Sequence, residues 1–140
     1  MKRKAVFLDS ATLGDEISLA PLHEQAEFQV FPSVADSEVE DSCRSAEIVV
    51  SNKVIFDRER LERLRPTLKL ICLTATGYNN VDVTAAAEFG ITVCNVRDYS
   101  TDSVAQHTVA TTLSLLQQLE YYNQYVRCGT YAQEAVFTHF

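Results

Sequence analysis

Glycine is scarce in this chain: only Gly14, Gly77, Gly90 and Gly129 occur in 140 residues. The sequence accordingly holds no GxGxxG fingerprint, no phosphate-loop lysine motif and no GxSxG nucleophile elbow. Positive charge is short as well, with 12 Lys and Arg against 19 Asp and Glu and a formal net charge of −7. A phosphate-binding surface carries an excess of Lys and Arg, so the balance argues against nucleic acid and disfavours anionic membrane surfaces. Long apolar runs are missing too, since none approaches the ~20 residues that a spanning helix needs. The opening Met1-Lys-Arg-Lys imitates a signal n-region, but only Ala5, Val6, Phe7 and Leu8 follow before Asp9. A secretory segment needs an apolar core of roughly 7–15 residues. Cys43, Cys72, Cys94 and Cys128 have no CxxC spacing and no neighbouring His cluster, so no metal site or disulfide framework is expected. Cys72 and Cys94 fall in apolar runs, where a thiol behaves as a small core hydrophobe. Reduced, buried thiols suit a cytoplasmic protein.

What remains is a well-patterned α/β sequence. The hydrophobic content of 46% and the length suit one compact domain with a real core. Short apolar runs at 4–8, 27–31, 47–51, 68–73 and 91–95 read as five strands, with the weak alternation of parallel strands covered on both faces. Residues 17–26, 34–45, 57–65 and 82–89 read as helices between them. Asp57 and Asp82 are placed to cap two of these, Pro66 stops one, and Gly90 suits a left-handed residue after another. Alternating strands and helices predict a flavodoxin-like, doubly wound, five-stranded parallel sheet with right-handed crossovers. A longer helix follows. Ser103-x-x-Gln106 has the form of a capping box, and Ala105, Val109, Leu113 and Leu116 repeat along one apolar face. Tyr121, Tyr122 and Tyr125 continue that helix. The ending, Val136-Phe-Thr-His-Phe140, is apolar and aromatic without a polar tail, as expected of a chain that continues into a larger unit.

In open α/β sheets ligands bind at the carboxyl ends of the strands. Here those ends are 9–12, 51–53, 75–79 and 95–100. The most informative is Leu70-Ile-Cys-Leu-Thr-Ala-Thr-Gly-Tyr-Asn-Asn-Val-Asp82, an apolar run that reaches a Thr-Gly turn and then a helix start. Thr76 and Gly77 would present backbone N–H groups beside that helix start, where an anion is favoured. An ordinary β-to-α turn that needs a glycine explains the same residues. Lys53 ends the third strand as a cation for an anionic ligand or as a solvated loop lysine. Asp9 ends the first as site acid or helix cap. Tyr99 either walls a pocket or packs under the long helix. His23 and His107 read as surface residues, and His139 carries little information. These residues alone support an anion or small-acid binding face and no particular reaction.

Four linked segments carry a resemblance. They are Ser51-Asn-Lys-Val54, Leu68-Lys-Leu-Ile71 leading into Thr76-Gly-Tyr-Asn-Asn-Val-Asp82, Ala85-Ala-Ala-Glu-Phe-Gly-Ile-Thr-Val-Cys-Asn-Val96, and Tyr99-Ser-Thr-Asp-Ser-Val-Ala-Gln-His-Thr108. In these, over roughly residues 45–130, the chain resembles the N-terminal part of a D-isomer-specific 2-hydroxyacid dehydrogenase of the glycerate dehydrogenase (hydroxypyruvate reductase) branch. Asn79 departs from the pattern, which often has Asp there. The resemblance implies a substrate-binding domain at 1–100 and an interdomain helix and linker at 101–140 toward a Rossmann domain. It implies hydride transfer between NAD or NADP and a small 2-oxo acid, and a homodimer in the complete enzyme. The family's catalytic Arg, Glu and His would all lie downstream, so this chain would hold none of them and be inactive alone. It also implies that Thr76, Gly77, Lys53 and Tyr99 bind substrate and that Thr76 and Thr108 approach the cofactor. A stand-alone flavodoxin-like binding or regulatory module is the alternative. Ser10-Ala-Thr-Leu-Gly14 only weakly imitates a flavin phosphate loop, and Ser51-Asn52 stands where a phospho-receiver would have Asp.

Overall fold

The computed structural model describes residues 2–135. The ending from Val136, with His139, lies outside the described residues. The chain divides into two compact units, one up to Asp98 and one from Tyr99 onward, and each is described by itself. In the first unit the apolar runs form β1 (Lys4–Phe7), β2 (Glu27–Val30), β3 (Ile48–Ser51), β4 (Leu70–Leu73) and β5 (Thr92–Cys94). All pair in parallel, in the order β2-β1-β3-β4-β5. This is the flavodoxin-like, doubly wound order, whose direction reverses between β1 and β3.

Helices α1 (Ala20–Gln25), α2 (Val39–Cys43), α3 (Arg58–Leu64) and α4 (Val83–Glu88) make the connections. One sheet face presents Val6, Val49 and Ile71 to Val39, Leu61, Leu64 and Ala85, which together form the hydrophobic core. On the opposite face Ala5, Phe7 and Val50 are buried, Leu70 and Cys72 are half-buried, and Thr92 and Cys94 are exposed. Cys94 therefore departs from the expected core role. It lies on an edge strand, and the deeply buried thiol is Cys43 of α2, pushed up to about 12 by desolvation.

Local end signals worked where they were strong. Asp57 accepts a hydrogen bond from the Arg60 N–H, Asp82 accepts one from Ala85, and Gly90 follows α4 at φ +71°. Two helices are shorter than expected. The 17–26 stretch is helical only from Ala20, and 34–45 splits into a 3-10 turn, Asp36–Glu38, followed by α2.

In the second unit the expected single helix is two, α5 (Thr101–Leu116) and α6 (Leu119–Arg127). Gln118 takes a left-handed backbone at φ 49° and breaks the run without glycine or proline to announce it. The capping box is also corrected. Ser100 is the N-cap, Ser103 lies inside the first turn, and Asp102 supplies the negative charge that the helix start favours. No α5 residue is buried, and Val109, Leu113 and Leu116 are exposed. In α6 Tyr121 stacks on Tyr125, with ring centroids 5.9 Å apart.

One buried ion group ties α2 to α3. The Arg60 side chain is 8% exposed and donates to Glu40 Oε1 at 3.1 Å, Asp36 Oδ1 at 3.0 Å and the Ile55 carbonyl at 2.5 Å. Burial would raise the Glu40 carboxyl, but hydrogen bonds from Arg63 and Arg60 outweigh it and hold the group below its ordinary 4.5. A carboxyl lowered in the folded state stabilises fully above its unfolded value and loses that contribution as pH falls through the folded value. Arg60→Met is therefore expected to cost about 2 kcal/mol at neutral pH and to flatten the loss of stability below pH 4.5. Urea midpoints measured from pH 7 to 3 test this, and equal acid slopes in both proteins would contradict it.

Candidate functional site

The reversal of strand order brings the carboxyl ends of β1 and β3 together, and a carboxylate joins them. Asp9, only 7% exposed, accepts hydrogen bonds from Ser51 Oγ at 3.0 Å, the Asn52 N–H at 2.9 Å and the Lys53 N–H at 2.7 Å. Ser51 Oγ in turn accepts from the Val54 N–H at 3.2 Å. Asp9 occupies the N-cap position of a 3-10 turn, Ser10–Leu13, yet makes no side-chain cap bond. It is neither the helix cap nor the free acid that its position suggested, but the anchor for the turn after β3. Nothing local to Asp9 marks this role, because its partners lie more than forty residues away.

Asn80 makes a second link. Its Nδ2 donates to the Val54 carbonyl at 2.8 Å and the Asn52 carbonyl at 3.4 Å, and its own carbonyl accepts from the Phe56 N–H at 2.7 Å. Phe56 also bridges Val81. The turn that carries Lys53 and the loop that carries Thr76 and Gly77 are thereby fastened to each other. From the other side, Asn95 Nδ2 donates to the Thr76 carbonyl at 2.7 Å, and Thr76 Oγ1 donates to the Val96 carbonyl at 2.9 Å. Asn80 and Asn95 were not singled out from the sequence, and Asp9 was, though not as an anchor. Asn95 ends a strand, which is the one signal that could have found it.

The helix start stands at Asp82 as expected, but it does not lie beside Thr76 and Gly77. Tyr78 through Asp82 intervene before α4 begins at Val83. A helix dipole falls off within about one turn, so it does not act at this loop. What the loop offers is two exposed peptide groups held in place, and among the described residues neither the Thr76 nor the Gly77 N–H donates to a protein acceptor. A Cβ at Gly77 would meet only Asn79 Oδ1, at 3.4 Å. Glycine is thus not required there by packing. Lys53 is exposed, its backbone fixed by Asp9. Asn52 Oδ1 and Thr74 Oγ1, at the ends of β3 and β4, are buried without a protein partner among the described residues.

Tyr99 and Thr108 belong to the second unit. Tyr99 is exposed just ahead of α5, and Thr108, within α5, donates to the Val104 carbonyl at 2.8 Å. His107 is exposed, with Thr111 Oγ1 at 3.4 Å from its Nε2. Among the described residues no group of three or more His, Cys, Asp or Glu is placed to hold a metal ion, and no helix is long and apolar enough to cross a membrane.

An open, all-parallel five-stranded sheet in this strand order defines an α/β protein of the doubly wound, flavodoxin-like class. The particular family follows from comparison. The model of the D-isomer specific 2-hydroxyacid dehydrogenase catalytic domain matches residues 6–136, and the chain belongs to that family. A glycerate dehydrogenase of Methylorubrum extorquens is 33% identical over 141 aligned positions, covering 100% of this chain and 44% of that protein. A hydroxypyruvate reductase of Blautia hydrogenotrophica is 40% identical over 84 positions, 60% of this chain and 26% of that protein. The chain thus spans less than half the length of these relatives. The fold also matches D-lactate dehydrogenase of Aquifex aeolicus, solved with NAD and lactic acid. That match has a TM-score of 0.70 at 23% identity and covers 88% of this chain and 37% of that one. The family is one of oxidoreductases that use nicotinamide cofactors.

Proposed function

We propose that this chain is the substrate-binding part of a cytoplasmic NAD(P)-dependent D-2-hydroxyacid dehydrogenase acting on glycerate and hydroxypyruvate or a similar small acid. Residues 1–100 form its substrate domain, and 101–140 form an interdomain helix and linker toward a nucleotide-binding domain. The complete enzyme is a homodimer, and this chain alone is inactive. The observation that carries the reading is the pair of free N–H groups at Thr76 and Gly77, held by Asn95 and Asn80 beside the Lys53 turn. Two adjacent N–H donors suit a carboxylate, and charge-assisted hydrogen bonds are the strong ones. Lys53 adds positive charge, and Tyr99 is the further substrate-binding residue of this reading.

The nicotinamide supplies the hydride chemistry when bound. This chain's share is orientation: a carboxylate fixed at Thr76 and Gly77 sets where the neighbouring carbonyl points. The hydroxyl protons of Thr76 and Thr108 are committed to the Val96 and Val104 carbonyls. Both oxygens are therefore left as acceptors, suited to a cofactor hydroxyl or amide rather than to a phosphate. With no glycine-rich phosphate loop in the sequence, the pyrophosphate would be held by residues beyond these.

The test is NADH- and NADPH-dependent reduction of hydroxypyruvate, glyoxylate and pyruvate by the whole protein, with Gly77→Ala alongside. The variant should fold normally, because its Cβ has room. It should raise KM about tenfold by crowding the carboxylate, the equivalent of losing about 1.4 kcal/mol of binding. Unchanged KM would place the carboxylate elsewhere. A native protein with the mass of this chain alone and no reductase activity would leave the stand-alone binding module.

A further inference from the structure

Two thiols that the proposed reaction does not use lie opposite each other on β4 and β5. Cys72 and Cys94 are direct register partners in the parallel pairing of these strands. Direct partners on neighbouring strands project from the same face of the sheet. Neighbouring strands run ~4.8 Å apart, inside the Cα separations of roughly 4.4–6.8 Å that a disulfide spans. The face they share is the less covered one, with Cys94 exposed and Cys72 half-buried. Burial raises the Cys72 thiol and the neighbouring Cys94 raises it further, which registers how close the two groups are.

We propose that Cys72 and Cys94 form an oxidisable thiol pair that closes to a reversible disulfide under peroxide. The exposed Cys94 thiolate attacks a peroxide oxygen. The O–O bond breaks, Cys94 becomes a sulfenic acid, and the departing hydroxide leaves as water with the proton the thiol gave up. The Cys72 thiolate then attacks the Cys94 sulfur. The S–O bond breaks, and the hydroxyl leaves as a second water with the Cys72 proton. Two thiols are oxidised to one disulfide while one hydrogen peroxide is reduced to two waters. Cys94 immediately precedes Asn95, whose side chain holds the Thr76 carbonyl, so the cross-link would tie β4 to β5 at the base of that loop. The chemistry depends only on the register of the two strands and not on the proposed dehydrogenase reaction.

The sequence offers a direct readout, because no Lys or Arg lies between Lys69 and Arg97. Trypsin therefore releases both cysteines in one peptide, residues 70–97. The whole protein is treated with hydrogen peroxide, its remaining thiols are alkylated, and the peptide is mapped with and without reductant. The expected result is a peptide lighter by two hydrogens that takes up no alkyl group. It should stay joined after cleavage at Asp82 or Glu88, and dithiothreitol should return it to the dialkylated form. Cys94→Ser, a change at an exposed side chain, should abolish the link. The proposal is overturned if Cys94 proceeds to the sulfinic acid while Cys72 is still alkylated, or if Cys94 links only to a different thiol.

Discussion

Replacing Phe56 by alanine is expected to lower stability by about 4 kcal/mol, the middle of the range for truncating a buried phenylalanine. Phe56 is fully buried and belongs to the core cluster, whereas its neighbour Ile55 is 59% exposed. It is also the point where the segment after β3 meets the loop after β4. Its N–H donates to the Asn80 carbonyl, and its carbonyl accepts from the Asp82 N–H at 2.9 Å. The ring therefore anchors backbone bonds as well as filling space. A domain has roughly 5–15 kcal/mol in total, so the loss takes a large share of it. Urea midpoints of Phe56→Ala and Ile55→Ala give the comparison. The exposed Ile55 should cost less than about 1 kcal/mol. If the two variants fell within 1 kcal/mol of each other, Phe56 would not be the anchor described.

The second large effect is expected at Asp9. Removing its carboxylate in Asp9→Ala leaves Ser51 Oγ and the Asn52 and Lys53 N–H groups without their acceptor. Buried donors left unmade cost about 1–3 kcal/mol each, and partial access of water to the turn brings the sum to about 3 kcal/mol. Asp9→Asn should cost less, because one carbonyl oxygen still accepts. The local signature is faster hydrogen exchange at Asn52 and Lys53. On the proposed function, the same variant of the whole protein should weaken substrate binding through the loosened Lys53 turn more than it slows turnover. Unchanged exchange at those two amides would refute the anchor.

Some features were legible because their causes are local. Asp57 and Asp82 stand one residue before their helices, and Gly90 stands where a left-handed residue was needed. The five apolar runs announced their strands within two residues of the observed bounds. The Thr76-Gly77 turn was legible as a strand-end loop and α4 was legible at 82–89, but the turn does not adjoin the helix, because Tyr78 through Asp82 stand between them. Gln118 gave no warning of the break between α5 and α6. No residue-level preference for a left-handed bend is present there.

Taken by itself, the sequence determined the five strands, the capped helices α3 and α4, the parallel pairing class and the family, because periodicity, caps and linked motifs are properties of neighbouring residues. Tertiary structure alone decided which strand lies at an edge, and so left Cys94 in the open and opposite Cys72. It alone joined Asp9 to Ser51 and Lys53, and Asn80 to Val54. Those contacts follow from strand order and register, which bring together residues far apart in the chain and which no local pattern encodes.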